Sequence, residues 1–339
     1  MTSPTHETQP TIDATMRALV ARRYGAPDVL AVETVPTPSP GEGQVLVHVE
    51  ASSLNALDWH FLTGTPLFMR MMSGVRRPKR IVHGADIAGT VVAVGAGVDQ
   101  YSVGQRVFGL GDGGGLAAYA VLGVKHMVPI PDGVSFQDAA ATPLAGITAL
   151  QALRTHGTVQ PGDHVLVNGA AGGVGTFAVQ IAKALGAQVT AVCSTGKVDM
   201  VRRLGADAVL DYTKDDFVVG GARFDVMLDN AGNRTPAECI SVLRPGARYV
   251  VVTGPKKNRW LGPVPHILWT GIKFRRADAS FHQFTAATNV EDLALLAEML
   301  ANRSVVPEID RVIGLDGVAA GLTEIGAGHT RSKIVVTPG

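Results

Sequence analysis

The residues with the clearest chemical meaning lie at a glycine-rich turn, within VLVNGAAGGVGTFAVQIAKALGA (165–187). There an apolar strand pattern runs into glycines, and an apolar helix pattern follows. Ala170, Gly172 and Gly175 keep the spacing G-x-G-x-x-G, with alanine in the first place. Bare backbone at such a turn lets a pyrophosphate approach, and the N–H groups of the helix attract its charge. Glycine-rich turns also serve packing, but strand and helix patterns alternate on both sides, so we predict a dinucleotide site.

The end of the next strand pattern, AVCSTGK, indicates which dinucleotide binds. Sites for NAD usually carry Asp or Glu about 20 residues after the turn, where it holds the ribose hydroxyls. Here no acid is present, while Ser194 offers a hydroxyl and Lys197 a positive charge. Both groups suit a 2′-phosphate. We predict NADPH rather than NADH as the cofactor. The alternative is that Lys197 is only a solvated residue at a helix start.

Composition and charge limit the classes of function. The chain has 339 residues, 46% hydrophobic and 17% charged, which favours two domains with large cores. Its net charge of +1 argues against a nucleic-acid partner. Cys193 and Cys239 form no C-x-x-C pair, so neither a disulfide framework nor a thiolate zinc site is predicted. We expect a reducing, cytoplasmic location.

Neither the N-terminal residues nor the longest apolar stretch has the pattern of a targeting or membrane segment. The first fifteen residues, MTSPTHETQPTIDAT, are polar, and we predict a disordered tail at 1–15 rather than a signal peptide. Met16 is an alternative functional start. The longest apolar stretch is the one quoted above. Because it holds five glycines, Asn168, Gln180 and Lys183, no membrane span is predicted.

The strand and helix patterns change near residue 138. From Met16 to about Phe136, short valine-rich runs separated by glycine, proline and aspartate indicate a mostly β domain. From Asp138, strands alternate with helices, which indicates a parallel sheet covered on both faces. Residues 255–288 are predicted to be irregular. After them, VEDLALLAEMLANRSV is a predicted helix and SKIVVTPG a closing strand.

Ordered motifs along nearly the whole chain carry a family resemblance. They are SSLNALDWHFLTG, HGADIAGTVVAVG, VGQRVFG, GGLAAYAVL, AATPLAGITAL, VLVNGAAGGVG, LGADAVLDY and GHTRSKIVV. From Met16 to the C-terminus the chain resembles the zinc-independent quinone oxidoreductase (zeta-crystallin-like) branch of the medium-chain dehydrogenase/reductases. The order and spacing of the motifs make this match specific at the level of the family.

The resemblance implies an α/β fold with a split architecture. A GroES-like catalytic β domain would comprise residues 16–138 and 283–339. A Rossmann domain with a doubly wound parallel sheet would be inserted at 139–282, and the active site would lie in the cleft between the two. A homodimer is also implied.

The resemblance further implies where NADPH makes its contacts. The adenine end would lie over the glycine turn, Gly172, Gly173, Val174 and Gly175. The 2′-phosphate side would be held by Ser194, Lys197 and Tyr212. The nicotinamide half would meet Thr148, Thr253 and Gly254, and Arg331 and Lys333 would lie near the phosphates or ribose.

The positions of the zinc ligands in the zinc-bearing relatives carry different residues here. Those relatives use a cysteine and then the histidine of a G-H-E triplet. In this chain the positions hold Asn55 and Ala85, the latter within Gly84-Ala85-Asp86, and neither is an ordinary zinc ligand. His83 lies two positions early and is interpreted as a packing residue or a chance occurrence. We predict no metal, which would leave alcohol oxidation without its Lewis acid.

A metal-free site suits acceptors that need little activation. Quinones and α,β-unsaturated carbonyls spread the arriving negative charge themselves, so the protein contributes binding and orientation. Asn55 is predicted to steer the acceptor or the nicotinamide carboxamide, with a plain turn asparagine as the alternative. Asp58 is expected to brace that turn, and Trp59 and His60 to wall the cleft. For His60 and Tyr119 a structural role is the stronger interpretation. The proton would come from solvent or a cofactor hydroxyl.

The segment from Trp260 to Arg276 departs from the simplest family pattern. It combines two tryptophans, aliphatic residues and a basic end. We consider a lid over an apolar substrate pocket, a weak contact with a membrane surface where long-tailed quinones dissolve, and a dimer interface or local core. The last is the slightly stronger interpretation.

Three functions remain open from the sequence. The first is an NADPH-dependent oxidoreductase that reduces a small hydrophobic quinone or enone without zinc. The second is an enoyl-thioester reductase, which would need a large cleft and a carrier-binding surface. The third is a non-catalytic NADPH-binding redox sensor, since a fold does not fix a function.

Overall fold

The structure is a computed structural model that describes residues 12–253, 260–328 and 330–339. In chain order its strands are β1 (Thr15–Val20), β2 (Ala31–Pro36), β3 (Gln44–Leu54), β4 (Asp86–Val94), β5 (Arg106–Leu110), β6 (Tyr119–Gly123), β7 (Met127–Pro129), β8 (His164–Asn168), β9 (Gln188–Cys193), β10 (Ala208–Asp211), β11 (Phe224–Asp229), β12 (Leu243–Val251), β13 (Ala279–Gln283), β14 (Ile309–Ile313) and β15 (Lys333–Val336).

The helices alternate with these strands most regularly in the middle of the chain. They are α1 (Ala56–Thr63), α2 (Arg70–Ser73), α3 (Phe136–Ala141), α4 (Pro143–Leu150), α5 (Gly173–Ala184), α6 (Val198–Arg203), α7 (Pro236–Ser241), α8 (Val264–Phe274), α9 (Val290–Ala301) and α10 (Val318–Ala327). Within the part of the chain that the structure describes, no helix is both long and apolar enough to span a bilayer.

The parallel sheet has six strands in the order β10-β9-β8-β11-β12-β13. On β8, Val165 and Val167 lie in one hydrophobic cluster with Phe177 of α5, while Leu166 lies in another with Tyr249. Alternate residues of this strand are therefore buried on opposite faces, which explains its continuous apolar run. The strand order reverses between β8 and β11, and ligands of doubly wound sheets bind outside the carboxyl ends at such a point.

The second sheet builds the mostly β domain. It has seven strands, in the order β14-β15-β3-β4-β5-β7, with β6 paired to β3. The C-terminal strand β15 runs antiparallel to β3, with Val335 opposite Ser53. The last strand of the chain thus completes the sheet begun near the N-terminus. β1 and β2 form a separate antiparallel pair.

Backbone contacts tie the two sheets together beside the glycine turn. Gly172 forms a parallel bridge with Ser332, just before β15, and the Ser332 N–H donates to the Ala171 carbonyl over 2.9 Å. Elsewhere the side-chain amide of Gln151 donates to Asp292 at the start of α9 over 2.7 Å. The glycine turn therefore lies against the other domain, at the cleft between the two sheets.

Several predicted elements need correction. β1 begins at Thr15, inside the predicted tail, because it pairs with β2; residues 1–11 of that tail lie outside the described residues. The segment predicted to be irregular contains α8 and β13. The prediction missed this helix because Pro265 lies within it, although proline is tolerated in the first turn of a helix. β13 gains its order from pairing with β12, and it carries the parallel sheet to Gln283, one residue beyond the predicted boundary.

Candidate active site

The glycine turn joins β8 to α5 at the point where the strand order reverses. Gly169 has a φ of +79°, a conformation that favours glycine. Gly172 is the N-cap of α5, and the Thr176 N–H donates to the Gly172 carbonyl over 3.0 Å. The first N–H groups of a helix have no partner within it, so those of α5 are available to an anion.

The absence of side chains at the glycines of this turn has two different reasons. At Gly175 an added Cβ would lie 2.7 Å from the Ala170 backbone, so the packing of helix against turn excludes a side chain. At Gly172 the nearest atom to such a Cβ would be the Gly169 oxygen at 3.6 Å, and at Gly173 it would be Lys333 Cδ at 3.4 Å. Internal packing therefore leaves room for a methyl group at these two positions, and their bareness fits the approach of a ligand.

Asn230 adds a polar group that the sequence prediction missed. It follows β11 directly, and its N–H donates to the Asn168 carbonyl over 3.0 Å. Its side-chain oxygen and nitrogen are both buried without a hydrogen-bond partner. The side chain lies beside the turn, since a Cβ on Gly169 would be 3.4 Å from Asn230 Cβ. A buried amide without partners is costly unless a ligand meets it, so this residue fits a dinucleotide site. No spacing rule singled it out.

A buried carboxylate fixes the backbone around Asn230. Asp229, at the end of β11, is fully buried and accepts hydrogen bonds from the N–H groups of Ala231 and Gly232 at 3.0 and 2.9 Å. The Asn168 amide and the Tyr249 hydroxyl also donate to it, at 2.9 and 2.7 Å. Burial and this carboxylate raise the pKa of Tyr249 far above its ordinary value. The carboxyl ends of β8 and β11 are thereby held rigid.

The residues predicted for the 2′-phosphate come together at the ends of β9 and β10. Ser194 follows β9, and Tyr212 follows β10 with its N–H donating to the Cys193 carbonyl over 3.0 Å. Tyr212 is exposed, and the Ser194 carbonyl accepts from the Lys197 N–H over 2.9 Å. The Lys197 Nζ donates to the Thr330 carbonyl over 2.9 Å. Lys197 therefore joins the parallel-sheet domain to the C-terminal segment.

An acid does lie near this group, at the end of β10 rather than at the end of β9, where NAD sites usually carry it. Asp211 ends β10 and accepts hydrogen bonds from the Thr195 and Thr213 hydroxyls at 2.6 and 2.8 Å. The Thr195 hydroxyl contributes most to lowering the pKa of Asp211 to about 2. The carboxylate is therefore ionised, and it is hydrogen-bonded to the turn after β9. Because its oxygens accept from these hydroxyls, Asp211 braces the turn that carries Lys197.

The other predicted cofactor residues lie at several places around the cleft. Arg331 is half-exposed, with Nη2 3.9 Å from the Glu308 carboxylate. The Thr148 hydroxyl donates to the Leu144 carbonyl within α4 over 2.6 Å. Thr253 is half-buried just after β12, whereas Gly254 lies outside the described residues. Their cofactor roles remain predictions.

A buried polar cluster forms around Asn55, one of the two residues at the predicted zinc-ligand positions. Asn55 Nδ2 donates to Asp86 Oδ2 over 2.8 Å, and Lys333 Nζ donates to Asn55 Oδ1 over 2.6 Å. Lys333 Nζ also lies 3.3 Å from Asp86 Oδ2, and both side chains are almost completely buried. The second Asp86 oxygen accepts from the Leu144 N–H over 2.8 Å. The cluster therefore links Asn55 and Asp86 of the N-terminal part of the β domain, and Lys333 of β15, to α4.

This cluster changes the interpretation of two predicted residues. The amide of Asn55 already has partners at its oxygen and its nitrogen, so its main visible role is to hold Lys333. The Lys333 stem passes Gly173, but Nζ points to Asn55 and Asp86 rather than to the glycine turn. The stem of Lys333 lies beside Gly173, whereas its charged end lies in the buried cluster; its role toward the cofactor stays a prediction.

Asp58 braces the start of α1, as expected. Its Oδ2 accepts from the Asn55 N–H over 2.8 Å and its Oδ1 from the Gly84 N–H over 3.2 Å. Burial raises the pKa of Asp58 to about 6, although these hydrogen bonds oppose the shift. Asp58 therefore positions the backbone of Asn55 and Gly84, and the amide N–H groups hold its carboxylate.

Trp59 and His60, both predicted to wall the cleft, have different surroundings. Trp59 packs against α10, where a Cβ on Gly326 would collide with the indole. The prediction for Trp59 is therefore wrong, because the side chain joins the core of the β domain. His60 Nδ1 lies 2.6 Å from the Thr65 carbonyl, so it donates there. Tyr119 packs edge-on against His48 at 5.3 Å, which agrees with its structural interpretation.

A cavity of about 540 Å³ opens beside the buried cluster. Its lining includes Ala85, the chain neighbour of Asp86, and Asp58, whose carboxylate accepts from the Asn55 N–H, together with Leu57 and Phe61. A larger hollow of about 1020 Å³ lies around Met16 and Lys125, at the outer side of β6. The smaller cavity is lined by Asp58, one of the predicted catalytic residues.

His83 lines this cavity, although it was predicted to serve packing alone. Its ring is almost completely buried, and Nε2 is without a hydrogen-bond partner. Burial lowers the pKa of His83 to about 4, so the imidazole is neutral at pH 7. Among residues 12–253, 260–328 and 330–339, no three His, Cys, Asp or Glu side chains are arranged to hold a metal ion.

Comparisons with known proteins agree with this architecture. The Alcohol dehydrogenase GroES-like domain family matches residues 41–132, and the Zinc-binding dehydrogenase family matches 204–336. Quinone-oxidoreductase QR1, chloroplastic, from Triphysaria versicolor is 31% identical over 339 residues, covering 95% of this chain and 98% of that protein. The 2-methylene-furan-3-one reductase of Solanum lycopersicum is 33% identical over 341 residues, covering 96% and 80%. A mycobacterial protein complexed with NADPH has a TM-score of 0.78 at 25% identity, covering 95% and 100%.

The chain belongs to the medium-chain dehydrogenase/reductase superfamily, and within it to the quinone oxidoreductase branch. It is accordingly an oxidoreductase. The predicted fold class, a GroES-like β domain with a Rossmann-like parallel-sheet domain, is confirmed.

Proposed function

We propose that the protein uses NADPH to reduce a quinone or an α,β-unsaturated carbonyl without a metal ion. The observation that carries this proposal is the turn at Gly172 and Gly173, where the strand order of the parallel sheet reverses. Both positions lack a side chain although the packing of the protein would accept a methyl group there. A pyrophosphate there would meet the N–H groups that begin α5. The NADPH-bound mycobacterial protein of the same fold supports the choice of cofactor.

The residues around the turn are suited to hold the rest of the cofactor. When bound, the reduced nicotinamide supplies a hydride. Lys197, Ser194 and Tyr212 offer one positive charge and two hydroxyls at the ends of β9 and β10, as a 2′-phosphate requires. Arg331 adds a second cation from the C-terminal segment, and Asn230 offers the unpartnered amide beside the turn.

The residues at the zinc-ligand positions favour a metal-free reaction. Ala85 has no ligating atom, and the Asn55 oxygen already accepts a hydrogen bond from Lys333 Nζ. A divalent cation there would face the positive charge of Lys333, which lies 3.3 Å from Asp86. Acceptors that delocalise negative charge over a conjugated carbonyl need no Lewis acid.

The cavity beside Leu57, Phe61 and Ala85 would receive the acceptor. Leu57, Phe61 and Val82 give it apolar walls, and Lys79, Arg80 and Asp112 add polar groups, a combination that suits a planar molecule with a carbonyl group. The acceptor gains a hydride and then a proton, and the proton comes from water or a cofactor hydroxyl. His60 Nδ1 donates to the Thr65 carbonyl over 2.6 Å, so this nitrogen is engaged within the β domain.

Two expectations accompany this proposal. A homodimer and a cytoplasmic location stay predictions from the family resemblance and the cysteine content. Gel filtration with light scattering would give the mass of the particle in solution.

The test mixes the protein with NADPH and a panel of quinones, enones and enoyl thioesters, and follows the reduced-cofactor absorbance. Turnover of quinones or enones, with no zinc found by metal analysis, is the expected result. Turnover of thioesters alone would favour the enoyl-thioester reductase. Tight NADPH binding with no turnover would favour the redox sensor. The Asn230→Ala variant should weaken NADPH binding, and Val312→Ala on exposed β14 is its matched control.

A further inference from the structure

The helix α8 presents an apolar face to solvent. Phe274 is buried and stacks on Tyr249 at 5.0 Å between ring centroids, which anchors one face to the parallel sheet. On the opposite face Leu268, Trp269 and Ile272 are 64%, 45% and 59% exposed. Large apolar side chains clustered in this way on a helix surface mark an interaction site.

The segment around α2 extends this face across the domain boundary. The Phe68 N–H donates to the Trp260 carbonyl over 3.3 Å, and Gly262 packs so closely on Pro66 that a Cβ would collide with it. Phe68, Met71 and Val75 of this segment are 40%, 79% and 70% exposed. We call the exposed residues of 66–77 and 260–276 together the apolar-basic face.

The described residues around this face carry mostly positive charge. Residues 59–85 contain five Lys and Arg and residues 260–277 contain three, with no Asp or Glu in either range; one of these cations, Arg80, pairs with Asp112 at 2.8 Å. The whole chain is nearly balanced, with 30 basic and 29 acidic residues. Arg76, Arg77, Lys273, Arg275 and Arg276 are exposed beside the apolar side chains. The excess of basic over acidic residues is therefore local to these two ranges of the sequence.

We propose that the apolar-basic face docks on the surface of an anionic lipid bilayer. Exposed aliphatic and indole side chains enter the headgroup boundary, and flanking cations bind acidic headgroups; the combination is the one that interfacial helices use. A second copy fits less well, because a symmetric contact would bring the basic residues of both copies together without acidic partners. A nucleic acid would neutralise the charge but leave the large aliphatic side chains unburied.

The position of the proposed acceptor cavity indicates what docking on a bilayer would achieve. The cavity of about 540 Å³ is lined by Ser73 at the end of α2 and by Pro78, Lys79 and Arg80 after it. Docking through Met71 and its neighbours would thus bring the rim of the cavity to the lipid. This part of the inference rests on the proposed function: a long-tailed quinone or enone dissolved in the bilayer would reach the cavity without crossing water.

Flotation of the full chain with vesicles tests the docking directly. The probes are vesicles of phosphatidylcholine with and without phosphatidylserine, each at low and at high salt. We expect binding at least about tenfold stronger to the anionic vesicles, and its loss at high salt. The double variant Leu268→Glu/Ile272→Glu should bind at least about tenfold more weakly. Val219→Glu, 81% exposed elsewhere on the parallel-sheet domain, should bind as the native chain does.

Two further measurements keep the result interpretable. Tryptophan fluorescence of the native chain should shift to the blue on anionic vesicles, since Trp260 and Trp269 are exposed. Turnover of a water-soluble short-chain quinone should stay unchanged in the double variant, so failure of docking is distinguishable from failure of the proposed reaction.

The following results would overturn the inference. The first is no binding to either kind of vesicle. The second is a dimer that dissociates in the double variant, which would assign the face to a second copy. The third is binding to duplex DNA that exceeds binding to vesicles.

Discussion

Replacing Gly173 by alanine separates ligand binding from folding at the glycine turn. A Cβ at this position would lie 3.4 Å from Lys333 Cδ and 3.9 Å from the Ser332 oxygen, which are ordinary contacts. Gly173 is the first residue of α5, where alanine is at least as compatible with a helix as glycine. The unfolding free energy should therefore stay within about 1 kcal/mol of the native value.

The same methyl group would fill the space through which a pyrophosphate approaches. Loss of one charge-assisted hydrogen bond from the start of α5 costs roughly 1.5–3 kcal/mol. That is a weakening of the NADPH Kd by about 10- to 150-fold. Calorimetric titration with NADPH measures the Kd, and thermal unfolding without NADPH measures the stability.

Two other glycines complete the comparison. Gly175→Ala should lower stability by about 1–3 kcal/mol, because its Cβ would lie 2.7 Å from the Ala170 backbone. Gly220→Ala, where a Cβ meets open space, should leave both stability and the Kd unchanged. A native-like Kd in a folded Gly173→Ala protein would refute the placement of the pyrophosphate.

Three other perturbations test the surrounding side chains. Lys197→Ala should reduce the preference of kcat/KM for NADPH over NADH by at least about tenfold, because the cation proposed to meet the 2′-phosphate is lost, while Lys125→Ala, exposed on the β domain, should not; an unchanged ratio would contradict the assignment. Asp58 has its pKa raised by burial from 3.8 to about 6 when folded, so it binds a proton more tightly in the folded state. Relative to Asp58→Asn, the native unfolding free energy should fall by about 3 kcal/mol as the pH rises from about 4 to about 6, and then stay level; parallel curves from urea unfolding would exclude this. Lys333→Met should destabilise by about 3–5 kcal/mol because it leaves Asp86 buried without its cation, and adding Asp86→Asn should recover part of the loss in the denaturation midpoint; a single variant as stable as the native chain would show that the pair contributes nothing.

The dinucleotide turn was predictable because its signals are local. A buried strand, glycines at fixed spacing and an apolar helix follow one another within 165–187, and each reflects the backbone geometry of its own neighbourhood. The loss of zinc ligands at Asn55 and Ala85 was visible for the same reason, since residue type alone decides whether a side chain can bind zinc. The family resemblance added the split domain arrangement, which no local pattern shows.

The prediction failed where order comes from distant parts of the chain. Residues 255–288 were predicted to be irregular, yet α8 is ordered by packing of Phe274 on Tyr249, and β13 by pairing with β12. Trp59 was placed in the cleft, but its contact is Gly326 of α10. Local periodicity does not contain such contacts.

By itself the sequence determined that a dinucleotide turn follows a buried strand, that the zinc-ligand positions are empty of ligands, and that two basic stretches lack acids. Only the tertiary structure decided that Lys333 reaches Asn55 across 278 positions, that Asn230 and His83 are left without partners, and that α8 turns its apolar face outward. The physical reason is that residue types and spacings fix local conformation and charge. Which side chains meet, and which stay unpaired, depends on how the two sheets are brought together.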